Sequence, residues 1–407
     1  MSFNNITRHG SRQRISLVEV EERIGRVKWN LPMVLVQAPG NSFNLVSAGD
    51  IAAKNSVPEI PISAVDGYAL RSSDTLGITA RSPGRFKLAG ISMANAGFHG
   101  RIGRNQCCEV YTGAPVPEDC DTIVMSEAVE RSDDEVLISS CLEPGNNVRS
   151  PGEDLHAGVR IAEKGEVLDP FRISAAMASK IENIPVYEKL RASVISTGDE
   201  LMPGSENFTV NSGQGLIVEY FSRPWINFSY GPICPDNAEK IREAVENLLD
   251  VNNILVITGG TAIGGKDMVP EAMKDAAETI FSGVQMRPGR TITLYRIKGK
   301  PVFSISGLPG PSLTSFETIL EIFLKTAYGY RVGRKSVMAT ASESVKLVAD
   351  SLNIKRIKFE NGSDQLMFRV FRKSGLQALM ESDGVVEAGP GIESIEKGKL
   401  YRIKLNR

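Results

Sequence analysis

The sequence predicts a multidomain chain of the α/β plus β class, and three observations support this prediction. The chain has 407 residues, which is more than one compact core usually serves, so we expect several domains. Strand and helix patterns alternate over residues 189–331, as they do in a parallel sheet covered by helices. Short strands separated by glycine and proline fill residues 58–145 and 332–407, a pattern that is typical of β domains.

The same patterns give domain boundaries. We expect a connector domain at residues 1–57 and 146–188, a β-rich inserted domain at 58–145, an α/β domain at 189–331 and a small β domain at 332–407. In the connector, a helical pattern runs from about Ser16 to Ile24. Asp169 as the capping residue and Pro170 in the first turn predict a second helix over 169–182.

Each domain contains elements that its residue pattern predicts. Strands of the β-rich domain are expected at 85–90, 106–111, 121–125 and 135–138. The α/β domain should have strands near 192–196, 254–258 and 301–305, and helices near 237–249, 268–277 and 312–328. Strands at 366–371 and 399–405 are expected in the last domain. Loops that follow parallel strands meet at one edge of a sheet, so the polar loops of the α/β domain should lie together.

Composition limits the classes of partner. The 47 basic and 48 acidic residues give a net charge of −1, so the chain has no bulk attraction to nucleic acid or to an acidic membrane. No apolar run is long enough to cross a bilayer. The basic N-terminus, with Arg8, Arg12 and Arg14, lacks the apolar segment of a signal peptide. We therefore expect a cytoplasmic protein that binds neither nucleic acid nor membrane.

Cysteines and histidines give no sign of a zinc site. The five cysteines lack Cys-x-x-Cys spacing, and the adjacent pair Cys107 and Cys108 suits tetrahedral ligation poorly. We expect free thiols. The three histidines, His9, His99 and His156, have no partner at ligand spacing, so a histidine-centred triad is not expected either.

Two loops of the α/β domain indicate an anion site. Thr-Gly-Gly-Thr-Ala-Ile-Gly-Gly-Lys-Asp at 258–267 follows an apolar strand, and its glycines let the backbone approach a ligand. The helix expected after Met268 would direct its N-terminal amides at the same place. Ser-Thr-Gly-Asp-Glu at 196–200 follows a second strand. Strand ends that carry carboxylates and hydroxyls predict one pocket for a phosphorylated ligand and a cation.

Three other segments have both a structural and a functional interpretation. Asp66 lies in a turn before Gly67, where it either caps the turn or belongs to a site. Thr112 begins the run Thr-Gly-Ala-Pro-Val-Pro, which is a stiff connector or part of a site. Asp154 ends the charged loop 149–154, which is a solvated turn or part of a site.

Two more segments of the α/β domain suit anions. Arg287 and Arg290 flank a Pro-Gly turn, which is an ordinary basic turn or a clamp for phosphate or a tetrahedral oxyanion. Ser-Gly-Leu-Pro-Gly-Pro-Ser at 306–312 joins a strand to a helix and provides a third strand end that suits an anion.

Seven segments, taken in order, resemble the MoeA family, the molybdopterin molybdenumtransferases to which the E domain of gephyrin belongs. They are Asp-Gly-Tyr-Ala from Asp66, Thr-Gly-Ala-Pro-Val-Pro from Thr112, Gly-Glu-Asp from Gly152, Ser-Thr-Gly-Asp-Glu-Leu from Ser196, Gly-Gly from Gly259 with Asp267, Met-Arg-Pro-Gly-Arg from Met286 and Gly-Leu-Pro-Gly from Gly307. The resemblance covers nearly the whole chain. It implies four domains in an elongated chain, with an α/β domain of the molybdopterin-binding type.

The resemblance also implies a reaction and partners. In the family, adenylylated molybdopterin is hydrolysed in a Mg²⁺-dependent step while molybdate is inserted into the dithiolene, and AMP is released. Molybdate and tungstate are both tetrahedral dianions of nearly equal size, so the sequence leaves both open. The resemblance implies a homodimer, with a pocket between the α/β domain of one subunit and the β-rich domain of the other. A protein that adenylylates molybdopterin is the implied partner.

Residue roles follow from the resemblance position by position. The catalytic residues would be Asp66, Thr112, Asp154, Asp199 and Glu200. Substrate would be bound by Gly259, Gly260, Thr261, Arg287, Arg290, Gly307, Pro309 and Gly310. Asp199, Glu200 and Asp267 would hold Mg²⁺, because hard carboxylate oxygens suit that cation and the cation neutralises phosphate charge.

The chain departs from the family pattern at four places. Ala262 stands where the family usually has serine, and Arg287-Pro288-Gly289-Arg290-Thr291 replaces Lys-Pro-Gly-Lys-Pro. Gly310-Pro311-Ser312 replaces Gly-Asn-Pro, and Ser382-Asp383 replaces Ala-Asn. Charge is kept at the two arginines, whereas a hydroxyl donor and the lysine geometry are lost.

These departures leave two readings open. The first is an active cofactor-assembly enzyme, which the carboxylates favour. The second is a catalytically weakened paralogue that binds molybdopterin or acts as a dimeric scaffold, which Ala262 and Thr291 favour. A dinucleotide-dependent oxidoreductase is excluded, because the glycine loop lacks the Gly-x-Gly-x-x-Gly pattern.

Overall fold

The computed structural model describes residues 14–206, 208–259, 268–360 and 365–406. Gly260, Thr261, Ala262 and Asp267 lie outside the described residues. The helices are α1 (Leu17–Gly25), α2 (Pro170–Ala178), α3 (Ser212–Phe221), α4 (Ala238–Val251), α5 (Val269–Met273), α6 (Pro309–Tyr328) and α7 (Leu376–Glu381). Most strands of the described part belong to three six-stranded sheets.

The connector region contains both predicted helices. Ser16 caps α1, accepting a hydrogen bond from the Glu19 backbone N–H at 3.2 Å, and Asp169 caps α2. The second helix ends earlier than predicted, because Lys180 adopts a left-handed conformation with φ of 59°. Two-stranded ladders join Val34–Gln37 to Ile184–Tyr187, Ile51–Ala52 to Arg160–Ala162, and Ile62–Ser63 to Val148–Arg149.

The β-rich region forms one sheet. Its strand order is Thr122–Met125, Gly67–Leu70, Gln106–Val110, Gly84–Ser92, Glu135–Ile138 and Val129–Ser132. The four predicted strands are confirmed, and the sheet adds Gly67–Leu70 and Val129–Ser132. The five cysteines of the chain are free thiols, and burial raises the pKa of Cys107 to about 12.

The α/β region has a mixed sheet. Its strand order is Ile226–Cys234, Leu190–Thr197, Ile254–Thr258, Lys300–Ile305, Thr293–Ile297 and Glu278–Ser282. The first four are parallel; three of them were predicted, and Ile226–Cys234 was missed. Thr293–Ile297 runs antiparallel to both of its neighbours, because a two-residue turn at Lys298 and Gly299 joins it to Lys300–Ile305 as a hairpin.

Helices cover both faces of this sheet. The helices α3 and α6 pack on one face through Ile217, Phe221 and Phe316, and α4 and α5 pack on the other through Val245 and Val269. The predicted helix over 268–277 is shorter than expected, since residues after Met273 turn directly into the antiparallel strand Glu278–Ser282. The parallel strands end together at Thr197, Thr258 and Ile305.

The C-terminal region forms a sheet that closes on itself. Its strand order is Met286–Arg287, Leu352–Glu360, Met367–Val370, Ser336–Ala341, Leu400–Leu405 and Gly384–Ala388, and the last strand also pairs with Leu352–Glu360. Met286–Arg287 pairs in parallel with Leu352–Glu360, with Arg287 opposite Asn353. The segment that carries Arg287 therefore joins the C-terminal sheet rather than the α/β sheet. A ladder joins Val345–Lys346 to Ser394–Ile395.

Helices able to cross a bilayer were not found in the described ranges.

Candidate functional site

A cleft of about 680 Å³ lies at the carboxyl ends of the parallel strands. We call it the strand-end cleft. Its lining is Thr197, Glu200, Leu201, Thr209, Val210, Asn211, Ser212, Gly213, Thr258, Gly259, Thr291, Ser306, Gly307, Leu308 and Pro309. Of the residues predicted for substrate binding or catalysis, the structure brings Glu200, Gly259, Gly307 and Pro309 together here. Parallel α/β sheets usually bind ligands at this edge.

Gly259 must be glycine in this arrangement. Its φ is 102°, and a Cβ added there would lie 2.3 Å from the carbonyl oxygen of Thr197. A side chain would therefore collide with the neighbouring strand end. With hydrogen in its place, the backbone at Gly259 forms part of the cleft wall.

Two helices begin at the cleft. Asn211 caps α3, with Oδ1 accepting the backbone N–H of Gln214 at 3.3 Å, and Leu308 precedes the first residue of α6. Backbone N–H groups at a helix N-terminus are incompletely paired and carry a partial positive charge. Two such termini in one cleft favour an anionic ligand.

Two of the three predicted metal carboxylates lie in one short turn, and Glu200 of this turn lines the cleft. Asp199 and Glu200 belong to the 3₁₀ turn Asp199–Leu201, both are exposed, and Asp199 Oδ1 accepts the Asp236 backbone N–H at 3.0 Å. Exposed carboxylate oxygens of this kind fit Mg²⁺, which takes one or two carboxylates and keeps several waters. No cluster of three ligating side chains forms within the described residues, and Asp267 lies outside them.

A second pocket, of about 310 Å³, is strongly basic. We call it the basic pocket. Its lining is Met286, Arg287, Pro288, Gly289, Arg290, Thr314, Ile354, Lys355, Arg356, Phe371, Arg372, Lys373 and Ser374. Six of these side chains are basic, and the described lining contains no acidic residue. The arrangement suits a multivalent anion.

Arg287 and Arg290 enter the basic pocket from a tight turn. Gly289 between them has φ of 87°, and an added Cβ would lie 2.4 Å from the Cβ of Ser315 in α6. Glycine therefore lets this turn pack against the helix. Both arginines are exposed. Burial lowers the pKa of the Arg14 guanidinium most, and the positive charges of Arg290 and Arg287 lower it further. The three cationic groups therefore lie close together.

Arg356 is a buried member of the basic pocket that the sequence analysis missed. It is 6% exposed, and Nη1 donates to Ser382 Oγ at 3.3 Å and to Asn406 Oδ1 at 3.2 Å. Nη2 has no hydrogen-bond partner among the described residues. Burial lowers the pKa of Arg356. A signal was present, since Leu352, Ile354 and Arg356 share one face of a strand and only the arginine is charged.

Gly310 connects the two sites. It is buried in the first turn of α6 and packs against the backbone of Ser374, a residue of the basic pocket. Arg290 and Thr291 also connect them, because the first lines the basic pocket and the second lines the strand-end cleft. The two sites therefore adjoin.

Asp66 and Thr112 come together in the β-rich region. The Thr112 backbone N–H and hydroxyl donate to Asp66 Oδ1 at 2.7 and 2.8 Å, and these hydrogen bonds lower the pKa of Asp66. Asp154 is exposed and forms an ion pair with Arg149. None of the three predicted residues lines the strand-end cleft of the same chain.

Two family models match the chain. Residues 17–179 match the MoeA N-terminal region (domain I and II), and residues 193–326 match the "Probable molybdopterin binding domain". The class of protein is therefore a multidomain chain built around an α/β domain of the molybdopterin-binding type. The chain belongs to the MoeA family.

Relatives and solved structures agree with this assignment. A "Putative molybdopterin biosynthesis protein" of Methanocaldococcus jannaschii is 27% identical over 376 residues, 89% of this chain and 90% of the relative. A molybdopterin molybdenumtransferase of Staphylococcus aureus is 27% identical over 331 residues, 80% and 78% of the two chains. The molybdopterin biosynthesis moeA protein of Pyrococcus horikoshii superposes with a TM-score of 0.77 at 25% identity, covering 97% of this chain and 100% of that one.

Proposed function

We propose that this chain inserts molybdate or tungstate into adenylylated molybdopterin and releases AMP in a Mg²⁺-dependent step. The coarse role, molybdenum cofactor biosynthesis by a MoeA-type transferase, follows from the family and its relatives. The finer reaction is our proposal. It rests on the two adjoining sites, the strand-end cleft and the basic pocket.

One observation carries the proposal: consecutive residues line two different anion sites. Arg290 lines the basic pocket and Thr291 lines the strand-end cleft. A phosphorylated pterin in the cleft would therefore have its neighbouring sulfur atoms close to an oxyanion held by the arginines. Holding two reactants side by side lowers the entropy cost of their reaction.

Charge assigns the two ligands to the two sites. The basic pocket has six cationic side chains and no described acid in its lining, which suits a small dianion. The strand-end cleft is larger and has two helix N-termini and Glu200, which suits a phosphorylated ligand that arrives with a cation. Arg356 offers the unpartnered Nη2 as an additional donor to the oxyanion.

Glu200 and Asp199 would hold Mg²⁺, together with Asp267 from outside the described residues. Mg²⁺ would neutralise the phosphate charge that develops as the P–O bond breaks. The backbone at Gly259, Gly260 and Thr261 would surround the phosphate. The hydrogen bond from the Asp236 N–H to Asp199 Oδ1 fixes that carboxylate, leaving its second oxygen for a ligand.

The β-rich residues require a second subunit in this proposal. Asp66 and Thr112 lie away from the strand-end cleft of their own chain, so we propose that they and Asp154 complete the cleft of a homodimer partner. We also propose the four-domain division at residues 58, 146, 189 and 332, cytoplasmic location, and a partner protein that adenylylates molybdopterin.

The alternative function is a weakened paralogue that binds molybdopterin or serves as a scaffold. Thr291 favours it, because this residue lines the cleft where the family pattern has proline. Under this alternative the strand-end cleft still binds the pterin, but the basic pocket no longer delivers an oxyanion.

The test is to incubate purified protein with adenylylated molybdopterin, Mg²⁺ and either oxyanion. AMP release and cofactor that activates a molybdenum-free apoenzyme are expected together. Pterin binding without either product would favour the weakened paralogue, and neither binding nor product would overturn the proposal. Arg287 and Arg290 substitutions provide the matched variants described below.

A further inference from the structure

Thr197 ends the strand Leu190–Thr197 with a buried hydroxyl that has no partner in the part of the chain that the structure describes. The residue is 3% exposed, and Oγ1 makes no hydrogen bond within the described residues. Buried polar groups are nearly always paired, because burial removes their hydrogen bonds to water. An unpaired hydroxyl in the wall of a cleft is therefore a candidate for contact with a ligand.

The hydroxyls of Ser196 and Thr258, at the same strand ends, are both paired. Ser196 Oγ lies 2.8 Å from Thr258 Oγ1 and 3.3 Å from Asn211 Oδ1, and Thr258 Oγ1 also donates to the Ile195 carbonyl at 3.4 Å. Successive side chains of a strand point to opposite faces, so Ser196 and Thr197 have different surroundings. The paired hydroxyls hold the strand ends together, whereas Thr197 contributes nothing comparable.

The position of Thr197 indicates the chemistry of the ligand. Thr197 lines the strand-end cleft beside Gly259, and a Cβ added at Gly259 would lie 2.9 Å from Thr197 Oγ1. Any side chain at position 259 would therefore press against the hydroxyl, and glycine avoids that contact. The N-termini of α3 and α6 line the same cleft, and their partial positive charge favours a phosphoryl group.

We propose that Thr197 Oγ1 donates a hydrogen bond to a phosphoryl oxygen of the adenylylated pterin. The inference rests on the proposed function and names a binding residue of that same site. A phosphoryl oxygen without a proton can only accept hydrogen bonds, so the threonine is the donor. Hydrogen bonds to a charged acceptor are stronger than neutral ones, and this one would replace the water that the hydroxyl lost on folding.

Two substitutions test the donor role by steady-state measurement of AMP release. Thr197→Val keeps the shape of the side chain and removes the hydroxyl, and Thr197→Ser keeps the hydroxyl. We expect Thr197→Val to raise KM for adenylylated molybdopterin about tenfold or more. The KM of Thr197→Ser should stay within about threefold of the wild-type value. The value of kcat should change little, because the contact is made equally in the ground state and the transition state.

Thermal unfolding separates ligand binding from a structural role. Thr197→Val should unfold no earlier than wild type, because it loses no hydrogen bond of the folded protein. Thr258→Val is the matched stability control and should lower Tm, since it loses the bonds to Ser196 and Ile195. A lower Tm for Thr197→Val would show that the hydroxyl has a structural partner and would overturn the inference.

The kinetic outcomes are equally decisive. An active wild type with an unchanged KM in Thr197→Val overturns the inference and leaves the proposed function standing. An equal increase in KM for Thr197→Ser and Thr197→Val would assign the effect to packing and would also overturn the inference. A wild type that releases no AMP overturns the proposed function and this inference with it.

Discussion

Thr112 donates two hydrogen bonds to a single oxygen of Asp66, one from its backbone N–H at 2.7 Å and one from its hydroxyl at 2.8 Å. The two residues lie 46 positions apart. The ladder of Ile62–Ser63 with Val148–Arg149 and the bond from Gly113 N–H to the Ser63 carbonyl bring their loops together. Both segments were singled out in the sequence, but their contact was not predicted.

The first prediction concerns the ionisation of Asp66. Hydrogen bonds from Thr112 lower its pKa, and the backbone bond is the larger cause. Because the folded-state pKa is depressed, the stabilisation is present above the ordinary carboxyl pKa and is lost as pH falls through the lower value. Thr112→Val should raise the pKa of Asp66 part of the way to the ordinary carboxyl value, because the backbone hydrogen bond remains. Thr112→Ser keeps the hydroxyl and should leave the pKa unchanged. NMR titration of the carboxyl group measures this pKa. An unchanged pKa in Thr112→Val would contradict the contribution of the Thr112 hydroxyl.

The second prediction concerns the oxyanion. Arg287→Ala with Arg290→Ala should raise KM for molybdate or tungstate, because each arginine offers charge-assisted donors to the dianion. Losing one such contact typically costs on the order of 1.5–3 kcal/mol, so an increase of about tenfold or more is expected. Binding of adenylylated molybdopterin, measured by calorimetry, should change little.

A control separates local contacts from overall charge. Arg26→Ala with Arg402→Ala removes two exposed arginines that line neither site. It should leave KM for both substrates unchanged. If the control pair raised KM for the oxyanion as much as the Arg287 and Arg290 pair, the basic pocket would not be the oxyanion site.

The third prediction concerns the junction between α6 and the C-terminal sheet. Arg334 and Glu317 form a buried ion pair at 2.9 Å, with both side chains 3% exposed, and Arg334 also lies 3.8 Å from Glu387 in the C-terminal sheet. Glu317→Gln should destabilise the protein by about 1.5–3 kcal/mol, because it removes the nearest counter-charge of the guanidinium and leaves, among the described residues, only Glu321 at 4.0 Å and Glu387 at 3.8 Å. Urea unfolding measures the change.

The exposed pair of Lys399 and Glu396 provides the comparison for that prediction. Its side chains are 61% and 51% exposed, and exposed pairs contribute little because water and salt screen them. Glu396→Gln should therefore have a small effect. Equal destabilisation by the two substitutions would contradict a structural role for the buried pair.

The fourth prediction concerns subunit assembly. Asp66→Ala and Glu200→Ala should each abolish AMP release, because each removes a carboxylate from the proposed site. Mixed heterodimers should recover part of the activity, since one of the two composite sites would then be intact. No recovery after confirmed subunit exchange would mean that both residues act within one subunit.

Three parallel strands of the α/β sheet were predictable, because each is an apolar run followed by a polar loop that contains glycine. The strands Ile254–Thr258 and Lys300–Ile305 match their predicted positions to within a residue. The hairpin strand Thr293–Ile297 was missed, because its direction depends on a turn at Lys298 and Gly299 rather than on its own residues. Direction within a sheet is a tertiary property.

Several residues of the site were predictable from the sequence, but their separation into two pockets was not. Arg287 was expected in the α/β domain. The structure pairs its strand with the C-terminal sheet, opposite Asn353, so the arginines line a separate pocket. A two-residue strand has no periodicity to read, and its partner lies far along the chain.

The resemblance to the MoeA family supplied the residue roles that physical patterns left open. Asp154 illustrates this, since its exposed ion pair with Arg149 is what an ordinary surface loop would also show. Thr197 and Arg356 are the opposite case. The structure distinguishes them by a buried group that has no partner among the described residues, which no sequence pattern displays.

The most direct test of the account is whether wild-type protein releases AMP from adenylylated molybdopterin in an oxyanion-dependent way. At saturating Mg²⁺, we expect release to rise with molybdate or tungstate, and Ala262→Ser with Thr291→Pro to lower the oxyanion concentration required. A wild type without oxyanion dependence, together with a substituted protein that acquires it, would contradict the enzyme account and establish the weakened paralogue.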